Sequence, residues 1–137
     1  MSSPRPYVKP TGFTKVFNQL VARLGLKPTL AVRGRKSGQW RTVSVNVLEV
    51  DGTRYLLAPR GETEWVRNLR VSGEGELRHR GRVERFRATE VPVPERAALM
   101  QAYLERWRSE VRREFEALPD PADHPTFRLE PVGKEPR

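Results

Sequence analysis

The sequence predicts a mainly β single domain, a small and mostly antiparallel barrel of about six short strands with flanking helices. Three observations carry this. Residues 41–47 alternate strictly, with Val43, Val45 and Val47 on one face and Thr42, Ser44 and Asn46 on the other, which is the signature of a half-buried strand. Two hairpin signals, Asp51-Gly52 and Arg80-Gly81, each separate a pair of strand-like runs. Helical periodicity is confined to three segments, so helices cap the sheet rather than build the fold.

At 137 residues the chain has the length of one domain with a modest core. Hydrophobic residues make up only 36%, but they fall into periodic segments, so the chain reads as folded. No stretch approaches the ~20 apolar residues of a membrane span, and the charged N-terminus has no apolar region behind it; a cytoplasmic protein is expected. Cysteine is absent, which excludes disulfides, thiolate catalysis and Cys-based zinc sites. Net charge is +9, and all but five of the 26 basic residues are arginine. The guanidinium fork fits phosphate and carboxylate, so the partners this charge permits are a polyanionic small molecule, nucleic acid or an anionic lipid surface, the last as a weak association.

In chain order, residues 1–12 carry three prolines and no periodicity and read as a flexible arm. Residues 13–131 are the domain and 132–137 a polar tail. Val16, Phe17, Leu20, Val21 and Leu24 predict a short amphipathic helix between a Thr14 N-cap and a Gly25 stop, covering the sheet. Residues 29–33 form a strand, and Arg35-Lys36-Ser37-Gly38 turns the chain into the alternating run. The apolar phase then slips by one residue at Val47 and Leu48, which predicts a β-bulge. Residues 54–58 return as a strand, Pro59 to Gly61 break it, and residues 62–69 form a short helix with Trp65 and Leu69 on one side. Residues 74–79 and 82–91 form the second hairpin. Residues 95–118 form the longest helix, with Met100, Leu104, Trp107, Val111, Phe115 and Leu118 as its apolar stripe. A proline-rich loop leads to a closing strand at residues 126–130.

The side chains offer little reactive chemistry of their own. His79 and His124 stand in unrelated contexts and read as surface or loop histidines; no G-x-S-x-G elbow and no metal-ligand spacing occurs, so no metal is expected. An enzyme of this kind would position a cofactor. Thirteen of the 26 basic residues lie between Arg33 and Arg87, around two glycine-flanked bends: Gly34 to Gly38, and Arg60-Gly61. A strand scaffold would bring these bends together as an anion site. G-R-K-S-G alone is a weak signal that a basic turn in solvent also explains, and it lacks the spacing of a Walker loop.

The ordered set G-R-K-S-G, Arg41, S-V-N, Y-L-L-A-P-R-G-E-T-E-W-V-R-N-L and H-P-T-F-R-L, across about residues 29–129, resembles the deazaflavin-dependent nitroreductase family. The resemblance implies a split β-barrel of the flavin-reductase or pyridoxamine-phosphate-oxidase type. It also implies an oxidoreductase that uses reduced coenzyme F-420, an 8-hydroxy-5-deazaflavin, to pass hydride to a quinone, an activated alkene or a nitro compound. Residue by residue, it assigns Arg60 to the cofactor phosphate, with Arg35, Lys36, Ser37, Gly38 and Arg41 around it. It lays the ring along Ser44, Val45 and Asn46, and adds Ala58, Pro59, Gly61, Trp65 and Asn68 to the cofactor site. Pro59 departs from the pattern, standing where members often carry serine, and residues 119–125 hold no tyrosine for the substrate side.

FMN is the alternative cofactor, since related split barrels use it, and a non-catalytic deazaflavin or flavin carrier is the alternative function. A nucleic-acid binder is disfavoured because the aromatic residues are not interleaved with the basic strands as stacking platforms. The acceptor, the proton donor and the oligomeric state are not encoded in any motif.

Overall fold

The computed structural model describes residues 27–132. The expected helix at 14–24, the arm at 1–12 and nearly all of the tail lie outside the described residues. Seven strands form one antiparallel sheet: β1 (Thr29–Arg33), β2 (Trp40–Ser44), β3 (Leu48–Val50), β4 (Thr53–Leu57), β5 (Glu74–His79), β6 (Arg82–Glu90) and β7 (Thr126–Pro131). Among the described residues two α-helices flank it, α1 (Glu64–Ser72) and α2 (Arg96–Ala117). Among the described residues no helix is long and apolar enough to cross a membrane.

The strand order is β2-β1-β5-β6-β7-β4-β3. β2 and β3 therefore sit at opposite edges although only Val45, Asn46 and Val47 separate them. Four chain steps span at most roughly 14 Å, whereas a flat seven-stranded sheet is about 29 Å wide. The sheet must curl until its edges nearly meet, so the domain is a split barrel closed by chain connectivity. The one-residue slip at Val47 and Leu48 is thus a strand break where the chain crosses the seam, not the expected bulge, and it raises the strand count from about six to seven.

Both hairpins turn where expected, with positive φ at Asp51 (51°) and Gly52 (80°), and at Arg80 (52°) and Gly81 (78°). Two consecutive left-handed residues match the twist of the strands they join.

Strand alternation divides the apolar residues between two cores. Leu30, Val32, Val45, Leu56, Leu77, Phe86, Phe127 and Leu129 fill the barrel, and α1 closes it with Val66 and Leu69. Leu48, Leu57 and Val91 face outward and pack under α2, against Leu99, Tyr103, Val111 and Phe115. Adjacent residues Leu56 and Leu57 serve different cores, so β4 is the wall between them.

The stripe expected for α2 is right in its second half only. Its first half buries Leu99 and Tyr103, leaving Met100 and Leu104 half-covered. A row at 99, 103, 107, 111 and 115 repeats every four residues and drifts by about 40° per step on a 3.6-residue helix. Trp107 leaves helical geometry (φ −129°, ψ 23°), and this kink returns Val111 and Phe115 to the sheet.

Candidate functional site

The seam, the turn after β4, α1 and α2 surround two adjoining cavities. The first, of about 240 Å³, lies between the crossing Ser44-Val45-Asn46, the turn from Leu57 to Thr63, and the α2 residues Tyr103, Glu110, Val111 and Glu114. The second, of about 500 Å³, lies between β2 and the start of α1 and carries Arg41, Arg60, Arg67 and Asn68. Val43, Arg60, Thr63 and Trp65 line both.

His124 sets the turn that presents Arg60. It lies in the loop before β7, as expected, but is fully buried, which corrects its reading as a surface histidine. Its Nδ1 lies 2.8 Å from the Ala58 carbonyl oxygen and its Nε2 2.6 Å from that of Leu118, and its ring stacks on Phe115 at 4.2 Å. The Ala58 amide donates to the Pro125 carbonyl at 2.9 Å. Gly61 takes φ 85°, a left-handed conformation costly for a side-chain-bearing residue, and its amide donates back to the Ala58 carbonyl at 3.3 Å. Ala58 and Gly61 are buried and shape the turn without lining either cavity, while Pro59 and Arg60 line the first.

Asn46 ties the seam to α2. Its Nδ2 donates to Tyr103 Oη at 3.0 Å and to Glu110 Oε2 at 2.8 Å, and Lys27 pairs with the other Glu110 oxygen. Burial pushes the Tyr103 hydroxyl up to about 12, against the Asn46 hydrogen bond that lowers it. Burial also pulls the Arg60 guanidinium below its usual range, with Glu114 and then Tyr103 opposing the shift. Arg60 Nε, Thr63 Oγ1 and Glu114 Oε2 are buried and have no hydrogen-bond partner among the described residues. All three belong to the lining of the first cavity.

The first basic bend is built differently. The Arg35 amide and guanidinium donate to Asn68 Oδ1 at 3.1 and 2.8 Å, and Nη1 reaches Glu64 at 2.6 Å. That hydrogen bond holds the exposed Glu64 carboxyl below its usual range. Arg35 therefore clamps the bend onto α1. Lys36, Ser37 and Gly38 are exposed and line neither cavity. Of the remaining expected residues, Ser44, Val45, Asn46, Pro59, Arg60 and Trp65 line the first cavity, and Arg41 and Asn68 line the second together with Arg60 and Trp65. Trp65 also packs on the barrel core, 6.1 Å from Phe127.

Sequence reasoning missed Lys27, Thr63, Arg67, Tyr103, Glu110 and Glu114. Tyr103 reaches the first cavity from α2, one residue outside the stripe that the ideal helical period selects.

The chemistry of this donor set fits an elongated ligand with a planar part and an anionic part. Apolar walls at Val45, Leu57 and Val111 suit a ring, and the arginines of the second cavity suit phosphate, with Arg60 Nε and Thr63 Oγ1 as buried donors at the junction. The class defined is a split barrel with two adjoining cavities at its seam whose lining suits a planar, anionic ligand. A sequence profile described as F420H(2)-dependent quinone reductase matches residues 14–116, and the chain belongs to that family.

Solved structures share the fold. A protein of unknown function from Agrobacterium tumefaciens is 19% identical with a TM-score of 0.59, covering 96% of this chain, which spans only 60% of that protein's length. An F420-H2 dependent reductase, FDR-A, is 21% identical with a TM-score of 0.55, over 75% of this chain and 92% of its own. The heme storage protein HutZ of Vibrio cholerae is 14% identical with a TM-score of 0.55, over 85% and 90%. No curated protein matches the chain.

Proposed function

We propose that the protein transfers hydride from reduced coenzyme F-420 to a small organic acceptor, a quinone before an activated alkene or a nitro compound. The observation that carries this is Arg60, a partly buried cation at the junction of both cavities whose Nε–H meets no acceptor among the described residues. When bound, the reduced deazaflavin supplies a hydride.

Arg60, with Arg41 and Arg67, would hold the phosphodiester; Lys36 and Ser37, on the bend fixed by Arg35 and Asn68, would extend a cationic rim toward the acidic tail. The backbone at Ser44, Val45 and Asn46 would meet the ring edge, and Ala58, Pro59 and Gly61 fix the turn that carries Arg60. Leu57, Val111 and Trp65 exclude water, which strengthens every charge interaction inside.

Titrating the protein into oxidised coenzyme F-420 should change its fluorescence with micromolar affinity, and reduced coenzyme should be consumed when menadione is added. Absence of binding at micromolar coenzyme ends this reading. Binding without turnover across quinones, enones and nitroarenes favours a carrier, and FMN extracted from the purified protein favours the flavin alternative.

A further inference from the structure

The second cavity carries two carboxylates that oppose the binding of a phosphate. Glu62 and Glu64 line it together with Arg41, Arg60 and Arg67. Each carboxylate is answered by an arginine that stands outside the lining, Glu64 by Arg35 at 2.6 Å and Glu62 by Arg70 at 3.1 Å. The two pairs are not equivalent. Glu64 is mostly exposed and screened by solvent, whereas the Glu62 side chain is only 19% exposed, so its charge acts on the cavity through a lower effective dielectric.

Arg70 is itself held in place by a further carboxylate. Its Nε and Nη2 donate to Glu90 Oε1 and Oε2 at 2.8 and 2.7 Å, a bidentate fork that leaves Nη1 for Glu62. Glu90 is fixed in turn by the buried Arg96, whose Nη2 reaches Oε2 at 3.1 Å while its Nε donates to the Val91 carbonyl at 2.9 Å. Released from Arg70, the Glu62 carboxylate would compete with phosphate for the arginines of the same cavity. We propose that Arg70 is a positioning residue for the anion site: by holding Glu62 from outside the cavity, it leaves Arg41, Arg60 and Arg67 to a phosphodiester. The proposal rests on the reading of the second cavity as the phosphate pocket of coenzyme F-420, and it adds a residue that lies outside the lining.

The test compares coenzyme F-420 with 8-hydroxy-5-deazariboflavin, which shares the ring but has no phosphodiester, by fluorescence titration. An unpaired carboxylate beside a bound phosphate costs about tenfold in affinity or more. Arg70→Met should weaken coenzyme binding by that factor and leave the phosphate-free compound unchanged. Adding Glu62→Gln to Arg70→Met should restore the coenzyme to within about threefold of the Glu62→Gln single variant. A thermal melt of each variant separates packing from charge, because stability lost with the Glu90 contacts is not recovered by Glu62→Gln. If Arg70→Met does not fold, Arg70→Lys, which keeps the charge without the fork, should show the same Glu62-dependent loss in smaller measure. Unchanged coenzyme affinity, a loss that Glu62→Gln does not reverse, or an equal loss for the phosphate-free compound overturns the proposal. If the wild-type protein does not bind the coenzyme, the cofactor reading falls and this one with it; if it does and the variants match it, only the role of Arg70 falls.

Discussion

Replacing Arg60 by Met separates binding from folding at this site. The change keeps most of the apolar stem and removes the charge. Arg60 Nε makes no hydrogen bond among the described residues, and burial already disfavours its charged form. Removing the guanidinium relieves that desolvation but takes from Glu114 a cation that attracts it, so the two effects oppose each other. The net loss of stability should stay below about 1 kcal/mol, a fall in Tm of no more than roughly 4 °C. Binding behaves otherwise, because a charge-assisted contact to an ionised oxygen is worth roughly 1.5–3 kcal/mol. Affinity for coenzyme F-420 should fall about ten- to hundredfold. Fluorescence titration and a thermal melt of the same preparation measure both. Unchanged affinity would remove Arg60 from the anion site, and a Tm lower by more than about 8 °C would make it a structural residue.

Three further outcomes follow from the geometry. Tyr103 is neutral in the fold with its hydroxyl pushed up to about 12 from a model-peptide value of 10.0, so its contribution is complete below pH 10 and disappears as pH rises toward 12. Wild type should therefore lose on the order of 2–3 kcal/mol relative to Tyr103→Phe across that window, measured by denaturant unfolding at stepped pH; parallel curves would contradict the burial argument. His124→Ala removes two polar contacts and a stacked ring from a fully buried position, and should cost about 3 kcal/mol in chemical denaturation while also weakening coenzyme binding through the loosened Ala58 turn. Asn68→Ala deletes the acceptor of two Arg35 hydrogen bonds, and should cost about 1–2 kcal/mol with faster hydrogen exchange at the Arg35 amide.

The strands were legible because β4, β5 and β6 are strand-like runs beside the turn dipeptides Asp51-Gly52 and Arg80-Gly81, and β1 is a short apolar run that buries Leu30, Ala31 and Val32 in succession; local patterning decides such segments. What eluded the sequence is non-local. The slip at Val47 and Leu48 looks the same whether the chain bulges or leaves one sheet edge for the other, since both reverse the facing of side chains. The α2 face was misjudged at Met100 and Leu104 because a regular period was assumed where Trp107 breaks it. Arg35 carries a charge suited to phosphate, yet Asn68 and Glu64 engage it, and no spacing in the chain announces that pairing. Glu110 and Glu114 resembled a solvated helix face; they become cavity walls only once the kink in α2 and the seam are brought together.

At the seam, Ser44 and Leu48 belong to ladders that run away from each other, and no rung crosses between them. The barrel is a clasp, not a hoop. The strand order pairs β2 with β1 and β3 with β4, so backbone rotation at Val45, Asn46 and Val47 breaks none of those pairings. What bridges the unpaired edge is side-chain chemistry instead: Asn46, at the middle of the crossing, is bonded to both Tyr103 and Glu110 and so fastens the seam to α2.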